Sequence, residues 1–77
     1  MTTEELLMEV VRMLREREDY FDIEHKNALN RGEFQSASLM LGESLAYSNA
    51  GEMLMAALTG NVEILREYDQ YHKEEED

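Results

Sequence analysis

Residues 32–65 read GEFQSASLMLGESLAYSNAGEMLMAALTGNVEIL and contain no lysine or arginine. Glu33, Glu43, Glu52 and Glu63 are the only charges in the stretch. Between them, leucine, methionine, alanine, phenylalanine and tyrosine fall on every side of a helix. A helix that is apolar all round has to be covered all round. A chain of 77 residues has little material with which to do so.

A helix from about Glu33 to Leu58 follows from this composition, on the order of 39 Å long at about 1.5 Å per residue. One side carries Phe34, Ala37, Leu41, Leu45, Ser48 and Met55. A second carries Met40, Tyr47, Leu54 and Leu58, and a third Leu39, Ala46, Ala50 and Ala57. Gly42, Ala46 and Ala50 recur every four residues, a spacing that lets another helix approach closely. Gly51 costs about 1 kcal/mol of helix propensity relative to alanine, so a kink is allowed there.

Working outward, a first helix starts at Thr2 or Thr3. Thr2 and Glu5 fit a capping box, in which each side chain satisfies a free backbone N–H of the first turn. Leu7, Val10, Val11, Leu14, Glu18, Phe21, His25, Ala28 and Leu29 mark one face at helical period. Leu6, Met13 and Tyr20 form a second row beside it, so the face is wide enough for two neighbours. Arg31 and Gly32 read as a stop. Thr59-Gly60-Asn61 reads as stop, turn and N-cap, with a third helix from Val62 to about His72 and Ile64, Leu65, Tyr68 and Tyr71 inside.

These signals predict an all-α fold, a long antiparallel helical hairpin plus a short third helix. One domain spans 1–73, and 74–77 is an acidic, disordered tail. The third helix covers part of the second, and the rest of the apolar surface stays open. Dimerisation into a four-helix-type bundle is the expected remedy, with Gly42, Ala46, Ala50, Tyr47 and Leu54 at the dimer interface.

Charge excludes several functions. Eighteen acids against seven lysines and arginines give a net charge of −11. Phosphate backbones reward clustered cations, so direct nucleic-acid binding is not expected, and anionic membranes are disfavoured for the same reason. Cysteine is absent, which removes disulfides and thiolate chemistry. The acidic N-terminus lacks the basic region of a signal peptide, and no apolar run approaches the roughly 20 residues of a membrane span. A soluble cytoplasmic protein is expected.

Candidate chemistry is sparse. Glu18, Asp22 and His25 share a helix face, and carboxylates with histidine build metal sites in bundles. The usual Glu-x-x-His signature is missing, so an ordinary polar face is expected, with Ser44 or Ser48 beside Glu18 and Ser38 beside His25. Glu52, on an apolar stripe, needs a partner, and hairpin counting offers Arg12 or Arg15. No serine lies in a nucleophile motif and no glycine loop fits a phosphate, so neither an enzyme nor a bound cofactor is expected.

The span from Ala28 to Leu58, with Gly32, Gly42 and Ala46-Tyr47, generically resembles the helical hairpins of small bacterial and phage proteins. The resemblance implies a hairpin and no activity. The expected role is protein–protein interaction, as a small adaptor or inhibitor of another macromolecule. Tyr20 and Ile23 with Asp19 and Glu24 are the expected contact patch, since aromatic and acidic groups together suit a basic, partly apolar pocket. Two alternatives are a DNA-mimicking inhibitor of the kind phages encode and a metal bundle at Glu18, Asp22 and His25.

Overall fold

The computed structural model describes residues 1–76, with side chains for 1–70. It contains three helices, α1 (Thr3–Asn30), α2 (Phe34–Thr59) and α3 (Val62–Glu76). The expected acidic tail, 74–77, falls outside the residues whose side chains are described.

The helix ends follow local chemistry. Thr2 Oγ1 accepts from the Glu5 N–H, and a Glu5 carboxylate oxygen accepts from the Thr2 N–H, both at 3.1 Å. That is the capping box read from the sequence. At the other end of α1 the Gly32 N–H donates to the Leu29 carbonyl and the Glu33 N–H to the Ala28 carbonyl. α2 ends in the same way, with the Gly60 and Asn61 N–H groups donating to Ala57 and Ala56. These paired bonds require a left-handed residue just past the helix. Gly32 and Gly60 supply it, at φ 73° and 71°. Asn61 then caps α3 through its Oδ1, which accepts from the Ile64 N–H at 3.3 Å.

α1 and α2 pair along their length, and among the described residues α3 packs on α2 and does not reach α1. The α1 residues facing α2 are Leu7, Val11, Leu14, Glu18, Phe21, His25 and Ala28. Those of α2 are Ala37, Met40, Ser44, Tyr47, Gly51, Leu54 and Leu58. All are buried or half-buried, and both series step by alternating fours and threes, the spacing of a coiled-coil seam. The seam holds small residues where the helices come closest. Ala37, Ser44 and Gly51 are buried on α2, opposite Val11 and Ala28 on α1. α2 runs unbroken through Gly51, where an added Cβ would meet only the Leu14 Cβ, at 4.0 Å.

Polar bonds fix the register. The Ser44 hydroxyl donates to the Glu18 carbonyl at 3.4 Å. His25 Nδ1 lies 2.8 Å from the Ala37 carbonyl oxygen, which can only accept, so Nδ1 carries the proton. Phe21 stacks on Tyr47 with ring centroids 5.7 Å apart and planes 8° from parallel.

α1, α2 and α3 therefore lie in a single layer, 43 × 39 × 13 Å across the Cα positions, with α3 packed on α2 more lightly than α1 is. Domains ordinarily need two packed layers to enclose a core. This one encloses Val11, Ala28, Ala37 and Ala56, and no larger side chain is fully buried among the described residues. The row Leu6, Met13 and Tyr20, wide enough for a second neighbour, has none within the chain and stays exposed.

Candidate functional site

A single layer has two flat sides and two edges, and helical spacing assigns residues to each. Arg15, Glu18 and Asp19 of α1 meet Ser48, Gly51 and Glu52 of α2 around a shallow cleft of about 320 Å³. That cleft marks one flat side. Half a turn away, the opposite side carries Leu6, Val10, Met13 and Tyr20 from α1. From α2 it carries Leu39, Ala46, Ala50, Met53 and Ala57. Each of these is exposed, Leu39 at 70% and Tyr20 at 58%. Arg17, Glu24 and Glu43 are the charges that interrupt this side by the same spacing.

The residues expected at a dimer interface divide between two places. Gly42, Ala46 and Ala50 are exposed. Tyr47 and Leu54 sit half-buried on the α1 seam, and the Tyr47 ring is engaged by Phe21. The expected contact patch divides as well. Asp19, Tyr20 and Ile23 are exposed and Glu24 is half-buried. Tyr20 and Glu24 belong to the apolar flat side, whereas Ile23 and Asp19 lie toward the outer edge of α1. The Tyr20 ring meets Phe21 edge-on at 5.2 Å.

The outer edge is acidic but interrupted. Arg12 bridges Glu9, at 2.9 Å, and Glu16. Its guanidinium pKa is raised above the ordinary value, by the Glu9 hydrogen bond first and Glu16 next. Lys26 pairs with Asp22 at 3.2 Å, and Arg31 with Glu33 at 3.0 Å across the turn. These cations break up any continuous row of carboxylates that would imitate phosphates. Glu18, Asp22 and His25 share a helix but do not converge. Among the described residues no three histidine, aspartate or glutamate side chains are grouped to hold a metal ion, and the His25 ring is turned into the seam toward Ala37.

Glu52 is exposed, and its partner is neither Arg12 nor Arg15. The Tyr68 hydroxyl donates to its carboxylate at 2.5 Å and lies 3.4 Å from Asn49 Oδ1. Hairpin counting between α1 and α2 missed this bond because the donor comes from α3. Glu52 and Tyr68 are equidistant from Gly60, and that symmetry was the available signal. The hydrogen bond to Glu52 raises the Tyr68 pKa above 10.0, with burial and the Glu52 and Glu67 charges acting in the same direction. Asn49, Glu52, Ile64, Glu67 and Tyr68 line a second open cleft, about 460 Å³, between α2 and α3.

No protein-family model, curated protein or solved structure matches the chain. No helix among the described residues is long and apolar enough to cross a membrane.

Proposed function

We propose that this chain is a small acidic protein–protein interaction module, an adaptor or inhibitor of another macromolecule, and that it works as a homodimer of two hairpins. The observation that carries the proposal is the single helical layer, which leaves large apolar groups exposed on its flat sides. Contiguous exposed apolar surface marks association sites in soluble proteins. The −11 charge keeps such a surface soluble and favours a basic partner.

The outer edge of α1 suits that partner. Ile23, 57% exposed, offers an apolar anchor with Asp19 beside it. Such an edge remains open when a flat side is covered. The double substitution Asp19→Lys with Ile23→Ala tests this edge in affinity capture from a lysate. Partner capture is expected to be lost while helicity and assembly mass stay unchanged. Capture that survives the double substitution rules the edge out.

A further inference from the structure

The molecule exposes 6111 Å², whereas a compact monomer of 9.0 kDa exposes about 4,900 Å². The excess, about 1,200 Å², exceeds the roughly 800 Å² that each partner contributes to a standard stable interface. The surplus belongs to every molecule, so its cover has to be available at the same concentration as the chain. A second copy meets that condition without any other component.

The two flat sides differ in how their apolar and charged groups are arranged. On the side with the Arg15–Glu52 cleft, exposed Phe34, Leu41 and Leu45 of α2 lie beside a cleft lined mostly by charged groups, which are costly to desolvate. The opposite side carries a second series at alternating fours and threes on each helix. On α1 the series holds bulky groups, Leu6, Val10, Met13 and Tyr20. On α2 its centre holds small ones, Ala46 and Ala50. A bulky strip and a small strip side by side are self-complementary under one symmetry operation. A two-fold axis parallel to the helices turns each copy so that its α1 lies over the other's α2.

We propose that a second copy of the chain docks on the side carrying Met13, Tyr20, Ala46 and Ala50, about such an axis. The bulky α1 strip of each copy then fills the shallow α2 strip of the other, and every neighbouring helix pair is antiparallel. The assignment rests on the homodimer proposed above and adds the side and the axis.

Two sets of variants test it. Ala50→Arg places a charge at the centre of the proposed side, and Leu41→Arg places one on the other. Ala50→Arg is expected to weaken self-association at least a hundredfold, giving single-chain mass with helicity retained. Leu41→Arg is expected to keep the double mass. The reverse pattern overturns the side while leaving the homodimer standing, and a monomeric parent protein overturns both. The axis is read by crosslinking, which also serves if Ala50→Arg fails to fold, because the chain has no cysteine of its own. A mixture of Met13→Cys and Ala50→Cys proteins is expected to form a mixed disulfide dimer on oxidation. Ala50→Cys alone is expected to stay unlinked. Efficient linking of Ala50→Cys to itself, with no mixed product, overturns the axis.

Discussion

A Cβ at Gly51 would lie 4.0 Å from the Leu14 Cβ, an ordinary van der Waals contact, and the residue sits in the interior of α2. Alanine at that position removes the conformational freedom of glycine from the unfolded chain and fits the seam. The gain is about 1 kcal/mol, or roughly 4–8 °C in Tm for a chain of this size. Gly60 answers the same methyl group with the opposite sign. Its φ of 71° is left-handed, which costs an alanine about 1–2 kcal/mol, so Gly60→Ala lowers the midpoint and loosens the turn into α3. Paired thermal melts read both effects, and equal shifts would show that neither backbone position is as described. The turn glycines and the Thr2–Glu5 box were legible in the sequence because capping depends on residues within one turn. Glu52 was not, because its partner depends on where a third helix comes to rest.

At the scale of the element, α3 is the least secured part of the fold. Among the described residues it touches α2 and not α1, and its described polar anchor to α2 is the Tyr68 hydroxyl on Glu52 and Asn49. The Tyr68 pKa is raised in the folded chain, so the bond adds stability that is complete below the ordinary phenol value of 10.0. That stability is lost as pH rises through the higher folded value. Melting of the native chain is therefore expected to fall more than melting of Tyr68→Phe as pH rises above 10.0. Identical pH profiles for the two proteins would remove the bond from the description. The hairpin itself was readable, since Leu7, Val11, Leu14, Phe21 and Ala28 repeat at the spacing of one buried stripe. On α2 three apolar sides were legible in the sequence, with nothing in it to rank them. The structure supplies the ranking: Ala37, Ser44 and Gly51 are buried in the seam, with Met40, Tyr47 and Leu54 half-buried beside them, while Phe34, Leu41 and Leu45 stay exposed.

Over the whole molecule the dimensions matter more than any single contact. A 77-residue chain packed as a compact domain has a radius of gyration of about 11.5 Å, and this one has 15.0 Å. The length of α1 and α2 and the flatness of the layer, 43 × 39 × 13 Å, account for the difference. The shortage of covering material was legible in residues 32–65, but the flatness of the layer was not. α3 had two places to go, and the turn at Gly60 sends it beside α2 rather than over the hairpin. Its placement leaves Leu6, Met13 and Tyr20 exposed, with no second helix over them among the described residues. A second layer contributed by another copy supplies one. Static light scattering of the native chain at micromolar concentration tests this most directly, with helicity recorded on the same sample. The predicted mass is twice the 9.0 kDa of one chain. A mass of 9.0 kDa with full helicity would show that the single layer stands alone, and would contradict it.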